Sequence, residues 1–492
     1  MTDAAVTESI GRQAGRGLRF SLAGTLLTKL GSFAMGLVLA RLLAPSDFGV
    51  YAIALAATAV LMHINDVGLI AATVQWRGRL EDMAPTAATM AMAFAVGIYV
   101  VFWVAAPTFA TASGNSAAAP VVRLLTLIIV IDGITAVRSG ALMRHFEQGR
   151  LVLANSAGLV VNAVVAITLA ATGAGAFSFA WGQVTGAAMT GLLVFLFGRV
   201  PFRYGFDRAI ARKLLVFGVP LAASLGVEAV VTNVQFAVVG HITGAVALGY
   251  FLLAFNVASW AQSILGQAIR YVSVAGFSRL SEHDDEALSA GVQRSVPLMV
   301  TVVAPIVALT SVLAVPMVAL LYGERWLPAA PVLRILVGLT LARMLTGLAM
   351  DALMGAGATR ATLWLNLGWA VVLVPTLWFA SEAGGIRGAA YAQTGVAILV
   401  AVPLAAYALH RARVALAPVG LALVRPLGAA VLAAAVAVVV VRFAGTNAFV
   451  QLAVAGTAGV LVYVPIAVPR EQLRQLWTAL RHRQPAGAAL AE

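Results

Sequence analysis

Long apolar runs separated by short polar segments fill the chain from residue 20 to residue 468. A helix needs about 20 residues to cross the roughly 30 Å hydrocarbon core of a bilayer, and about fourteen runs reach that length. The predicted spans are 20–43, 48–74, 84–106, 120–143, 151–172, 177–198, 214–239, 246–269, 295–321, 330–354, 361–380, 387–409, 421–442 and 448–468. This pattern predicts an all-α polytopic membrane protein with about 14 transmembrane helices.

Composition changes this picture only by excluding other classes. Hydrophobic residues make up 61% of the chain and charged residues 10%, whereas soluble domains carry about 25% charged residues. The net charge is +13, but the basic residues are spread over many short loops, so no nucleic-acid partner is expected. Cysteine is absent and the histidines show no metal-ligand spacing, so no metal site is predicted.

Basic residues concentrate in alternate loops. The segments 199–213 and 410–413 are rich in arginine, whereas 107–119 and 240–247 contain neither lysine nor arginine. Loops rich in Lys and Arg stay on the cytoplasmic side of a membrane. Both chain termini are therefore predicted to be cytoplasmic.

An internal repeat organises the first twelve predicted spans. Pro120–Leu125 (PVVRLL) returns as Pro331–Leu336 (PVLRIL), and Phe48-Gly49 returns as Leu248-Gly249. Two six-span copies share one orientation and are related by an axis along the membrane normal. The predicted organisation is a cytoplasmic segment 1–19, an N-lobe 20–200, a linker 201–213, a C-lobe 214–410, two further spans within 411–468 and a cytoplasmic tail 469–492.

Polar residues recur at helical spacing inside several predicted spans. An ionisable side chain within a span costs about 2.5–3.5 kcal/mol on insertion scales, so such residues favour a shared water-filled cavity. The candidate substrate-binding residues are Lys29, Arg138, Asn256, Gln267, Arg270 and Arg343. The candidates for ion coupling or for an interlobe ion pair are Asp132, Glu228 and Asp351.

Individual roles follow from side-chain chemistry. Arg270 is the predicted diphosphate contact, because a guanidinium pairs two phosphate oxygens at once, and snorkelling to lipid headgroups is the structural alternative. Lys29 and Glu228 occupy nearly equivalent places in the repeat and are predicted to meet the substrate or each other. Asp66, at a helix end, and Arg41, near the outer boundary, are predicted to be structural.

Motifs for chemistry on nucleotides or sugars are missing. The sequence contains no G-x-x-x-x-G-K-[ST] loop, so ATP hydrolysis is not expected. It also lacks a large loop with clustered carboxylates, which disfavours a glycosyltransferase or polymerase. We therefore predict a protein that is not an enzyme and has no cofactor, with a proton or sodium gradient as the energy source.

A family resemblance rests on four stretches. The helical hairpin Ala40–Tyr51 (ARLLAPSDFGVY) with Asp66–Leu69 (DVGL), and Ala170–Gly175 (AATGAG) with Trp181-Gly182-Gln183, resemble bacterial polysaccharide flippases of the Wzx type. These belong to the same superfamily as MATE-type multidrug exporters.

The resemblance implies a flippase for undecaprenyl-diphosphate-linked oligosaccharide in the bacterial inner membrane. It also implies membrane lipids as surroundings, and a polysaccharide polymerase and glycosyltransferases as partners. The alternatives are a MATE-type drug antiporter, which should have an acidic cavity, and the lipid II flippase. The basic set of candidate residues disfavours the first, and the hairpin at Ala40–Tyr51 disfavours the second.

Overall fold

The computed structural model describes residues 24, 27–66, 69–76, 78–145, 147–198, 200, 203–281, 285–355 and 359–468. These residues form helices joined by short turns, and no strand occurs among them. The helices are α1 (27–42), α2 (Pro45–Asp66), α3 (Leu69–Gln75), α4 (Leu80–Ala112), α5 (Ala119–Leu125), α6 (Ile128–Arg144), α7 (Gln148–Ala171), α8 (Phe177–Phe197), α9 (Arg208–Ser281), α10 (Asp285–Val312), α11 (Ala314–Tyr322), α12 (Ala330–Gly355), α13 (Thr359–Val396), α14 (Val402–Arg411), α15 (Ala417–Phe443) and α16 (Ala448–Ala467).

The prediction of an all-α polytopic membrane protein is confirmed. Eleven helical stretches in the described part of the chain are long and apolar enough to cross a membrane. Two of them, Thr232–Trp260 and Trp364–Arg411, contain a glycine with non-helical backbone angles, Gly244 (φ 79°) and Gly385 (φ 57°). Only glycine adopts such angles easily. Both breaks lie between two predicted spans, Gly244 between 214–239 and 246–269 and Gly385 between 361–380 and 387–409.

The turn between α1 and α2 follows from its residues. Pro45 is the first residue of α2, where its fixed φ fits and its missing N–H removes no helical hydrogen bond. The carboxylate of Asp47 accepts a hydrogen bond from the backbone N–H of Ala44 at 2.9 Å. This bond satisfies a donor at the helix start and also places a negative charge there, which the helix dipole favours.

Glycines allow two repeated segments to meet backbone to backbone. A Cβ at Gly49 would overlap the carbonyl oxygen of Ala245, and a Cβ at Gly249 would overlap that of Pro45. The two contacts are reciprocal, because Gly49 meets Ala245 and Gly249 meets Pro45. Reciprocity of this kind marks a local pseudo-twofold axis, and it involves the Phe48-Gly49 and Leu248-Gly249 pair of the sequence repeat.

The chain divides into two compact units. The first contains residues 1–253 and 373–392, and the second contains 254–372 and 393–492. The first unit includes α1 to α8. A buried apolar cluster of the second unit joins α10, α12, α14, α15 and α16 around residues such as Val303, Leu353 and Ala433.

A polar connection follows α3 in the first unit. Arg79 forms an ion pair with Glu81 at 2.7 Å. The hydrogen bond and charge of Glu81 raise the pKa of Arg79 above its ordinary value, so this exposed arginine remains positively charged. A permanent positive charge beside α4 is consistent with the predicted alternation of loops.

Candidate functional site: a polar cavity in the first unit

A cavity of about 960 Å³ lies within the first unit, and α1, α2, α3, α6, α7 and α8 contribute to its wall. The volume is near the upper end of the roughly 300–1,000 Å³ range of ligand pockets. Its wall contains many uncharged polar side chains, and their hydrogen-bonding groups would be costly to expose to lipid. A water-filled or ligand-filled space is therefore the expected state of this cavity.

Helix α7 supplies a row of amide side chains. Gln148, Asn155 and Asn162 are seven residues apart, and all three line the cavity. Seven residues correspond to about two helical turns, so the amides lie on one face and are about 10.5 Å apart. The row therefore extends along most of α7.

Helix α8 packs closely against α7 because glycines face each other. A Cβ at Gly186 would lie 2.7 Å from the carbonyl oxygen of Gly158, and a Cβ at Gly182 would lie 2.6 Å from Oδ1 of Asn162. The spacing of Gly182 and Gly186 is the small-xxx-small pattern of close helix pairs in membranes. The hydroxyl of Thr190 on α8 also donates a hydrogen bond to the backbone carbonyl of Ala154 on α7, at 3.3 Å.

One amide of α8 is held from the other side. Nε2 of Gln183, which lines the cavity, donates a hydrogen bond to the hydroxyl of Tyr51 in α2. The ring of Tyr51 stacks on Phe179, with centroids 4.2 Å apart. This contact fixes Gln183 with its remaining polar atoms available to the cavity.

Helix α6 contributes the acidic residue of the wall. Asp132, Thr135 and Ser139 line the cavity from successive turns. Nδ2 of Asn65, a residue only 3% exposed, lies 3.3 Å from Oδ2 of Asp132 and donates to it. The buried amide thereby orients the Asp132 carboxylate.

Lys29 brings a positive charge to the same cavity. It lies on α1, is exposed, and lines the wall together with Thr28 and Asp132. Lys29 and Asp132 are the charged residues of the wall among those the structure describes. The structure thus brings together two predicted site residues from different helices, with opposite charges.

Arg138 has a different environment. It is 9% exposed and does not line the cavity. Its guanidinium donates a hydrogen bond to the backbone carbonyl of Phe195, and Cζ lies 3.8 Å from the centroid of the Phe195 ring. These contacts join α6 to α8.

Arg343, in the second unit, faces a narrow crevice lined by Phe255, Ser259 and Thr340. Its Cζ lies 5.4 Å from the Phe255 ring centroid and 5.8 Å from that of Trp369. Its Nε is buried and has no hydrogen-bond partner among the described residues. Two aromatic faces therefore stabilise this guanidinium, each by a cation–π contact.

The other predicted residues either do not line these two places or fall outside the described residues. Asp351 is 3% exposed on α12, Asn256 is exposed on α9, and Arg41 is exposed near the end of α1. Asp66 is the last residue of α2, as the helix-end prediction requires. The side chains of Asp66, Glu228, Gln267 and Arg270 lie outside the described residues.

Sequence reasoning did not assign site roles to Gln148, Asn155, Asn162, Gln183 and Thr190. The signal was present, because the three amides of α7 repeat at seven residues, as do Gln183 and Thr190 of α8. These residues were overlooked although Asn256 and Gln267 were chosen, because α7 and α8 contain no charged residue between Leu151 and Phe197 that would draw attention to their polar face.

The fold and the cavity together define a multi-pass helical membrane protein with the architecture of a transporter. A family model described as "Polysaccharide biosynthesis protein" matches residues 38–331, more than half of the chain. The chain belongs to this family, and the resemblance found in the hairpin Ala40–Tyr51 is confirmed.

Two relatives and one solved structure extend this result. The succinoglycan biosynthesis transport protein ExoT of Rhizobium meliloti (strain 1021) is 26% identical over 480 residues, covering 94% of this chain and 96% of that protein. The lipopolysaccharide biosynthesis protein WzxC of Escherichia coli (strain K12) is 22% identical, covering 75% of each. The lipid II flippase MurJ in its inward closed conformation has a similar fold, with a TM-score of 0.75 at 13% identity, over 94% of this chain and 100% of that one.

Proposed function

We propose that this protein is a flippase that moves an undecaprenyl-diphosphate-linked oligosaccharide across the bacterial inner membrane, from the cytoplasmic to the periplasmic leaflet, by alternating access. The observation that carries the proposal is a polar cavity of about 960 Å³ within a membrane-spanning unit of a chain in the polysaccharide biosynthesis family. A glycan needs such a hydrated place because its hydroxyls cannot be left unpaired in lipid.

Basic residues within the predicted spans also favour a substrate that carries a diphosphate. Lys29 lies at the cavity wall, and Arg343 is a second cation within a predicted span. We assign Arg270 and Arg343 to contacts with the diphosphate, and Lys29 to contacts with the glycan part of the substrate. Arginine suits this role through its planar fork of donors.

Orientation and energy source complete the proposal. The alternation of basic loops predicts cytoplasmic termini, and in this proposal glycosyltransferases assemble the substrate on that side and a periplasmic polymerase receives the product. We propose a proton or sodium gradient as the driving force, with Asp132 as the coupling residue, because its carboxylate lies in the cavity and is oriented by Asn65.

The alternatives differ in what the cavity should contain. A drug antiporter binds cationic amphiphiles and should have an acidic wall with aromatic rings. Among the residues that the structure describes, the charged members of this wall are one lysine and one aspartate, and none is Phe, Tyr or Trp. The likeness to the lipid II flippase at 13% identity concerns the fold alone.

A deletion strain tests the proposal. We expect loss of the secreted polymer and accumulation of lipid-linked repeat units at the cytoplasmic face, restored by the wild-type gene. Accumulation of lipid II would favour the peptidoglycan alternative. Normal polymer secretion with no lipid-linked intermediate would contradict the proposal, and altered drug resistance alone would favour the antiporter.

A further inference from the structure

We infer that the cavity of the first unit is a saccharide site in which Asn155, Asn162 and Gln183 form hydrogen bonds with the neutral hydroxyl groups of the glycan, whereas the diphosphate binds elsewhere. This inference rests on the proposed function and adds to it the part of the substrate that this cavity recognises.

Hydrogen-bonding capacity supports this assignment. A sugar hydroxyl both donates and accepts, and a carboxamide side chain does the same through its N–H and C=O groups. Three helices present such groups to the space, with amides on α7 and α8 and hydroxyls at Thr135 and Ser139 on α6. A hydroxyl-rich ligand could therefore be paired on several sides at once.

Charge argues against a phosphate ligand here. Two phosphate groups call for bidentate cations, which in proteins are most often arginines. Among the residues that the structure describes, no arginine lines this cavity, and Lys29 is accompanied by the opposite charge of Asp132. The described part of the wall is close to neutral, as suits the uncharged part of a glycan.

Length argues for several sugar residues instead of one. The amides Gln148, Asn155 and Asn162 extend over about 21 Å of α7, at a rise of 1.5 Å per residue. A single sugar ring is too short to contact two successive amides, which are about 10.5 Å apart. The row and the volume of about 960 Å³ match an extended oligosaccharide.

The absence of cysteine from the chain permits a direct test on the purified full-length protein in lipid nanodiscs. Met143→Cys places one thiol on the cavity wall without removing any of its amides, and Thr446→Cys places one in the exposed turn between α15 and α16 as the matched control. The rate of maleimide labelling is measured with no sugar, with neutral maltotetraose and with acidic tetragalacturonate.

We expect maltotetraose to slow labelling of Met143→Cys about fivefold or more, tetragalacturonate to have a much smaller effect, and neither sugar to protect Thr446→Cys. Equal protection by the two sugars, or none by either, would overturn the inference. Stronger protection by the acidic sugar would identify an anion site instead.

Export in cells gives a second measurement that separates this inference from the proposed function. Asn155→Leu with Asn162→Leu preserves approximate side-chain size and removes the amides, so polymer export should fall about tenfold or more at unchanged protein abundance. Asn155→Gln with Asn162→Gln should retain part of the export, since the amides remain. Full export by the leucine variant, in a strain whose deletion does accumulate lipid-linked repeat units, would overturn the saccharide site and leave the flippase proposal intact.

Discussion

Polar groups have opposite surroundings in two regions of the molecule, the cavity wall of the first unit and the crevice around Arg343 in the second unit. In the cavity, amides and hydroxyls from three helices face an open space of about 960 Å³. In the crevice, one guanidinium lies near two aromatic rings, and its Nε is buried. The first environment offers its polar groups to water or a ligand, whereas the second already holds its guanidinium against two aromatic rings.

This difference indicates which substitutions should change stability and which should change activity. Removing a polar group from a hydrated wall leaves neighbours that water can satisfy, so stability should change little. Removing a buried charge abolishes its desolvation cost, so stability can rise even where activity is lost. The same kind of substitution should therefore have opposite consequences in the two regions.

The largest effect on stability is expected from a glycine against which another helix backbone packs closely. Gly186→Ala places a Cβ 2.7 Å from the carbonyl oxygen of Gly158, which should separate α7 from α8 and cost about 1–3 kcal/mol or more. Gly347→Ala on α12 meets no atom within 4 Å and should be neutral or stabilising by about 0.5–1 kcal/mol. Protein abundance and thermal stability in detergent measure both, and equal behaviour of the two variants would show that the α7–α8 contact is not tight.

Arg343→Met tests the crevice, in which the guanidinium lies against two aromatic rings. Methionine can fill the space beside Phe255 and Trp369 without a charge, so we expect a gain of roughly 1 kcal/mol or more in stability, together with a strong loss of export. Arg343→Lys, which keeps the charge but not the planar fork, should recover little export. A variant that is less stable and still exports would assign Arg343 a purely structural role.

Lys29→Ala tests the hydrated environment, with Arg270→Ala as its partner experiment. Both should stop glycan export while protein abundance stays unchanged, since Lys29 is exposed and forms no ion pair with a described residue. Arg270→Lys should be only partly tolerated. Export is followed as secreted polymer, and normal secretion by both alanine variants would remove these residues from the mechanism.

The smallest effects come from single hydroxyl groups. Thr340→Val removes a buried hydroxyl that donates to the carbonyl of Ala258 at 2.7 Å and should cost about 1 kcal/mol. Tyr51→Phe removes the partner of Gln183, but the ring stack on Phe179 remains and the released amide can turn to the cavity. It should therefore cost less than Thr340→Val in thermal unfolding, and the reverse order would mean that the cavity wall is dry.

Much of the fold could be predicted because a bilayer imposes a simple rule on sequence. Apolar runs of sufficient length become helices, and this rule anticipated even the helix pairs that Gly244 and Gly385 divide. The repeat also pointed to Gly49 and Gly249. Its spacing could not reveal that these glycines contact the backbones of Ala245 and Pro45, because such a contact depends on how the helices cross.

The candidate site was predictable only in part, for a physical reason. Lys29 and Asp132 stood out because charge is costly in a span, and the structure places both at one cavity. Arg138 stood out for the same reason, but its charge is held by the Phe195 carbonyl and ring. Sequence by itself determined the helical membrane class and the residues whose presence demands an explanation. Only the tertiary structure decided which of them share a space, because burial, stacking and hydration depend on neighbours that are distant along the chain.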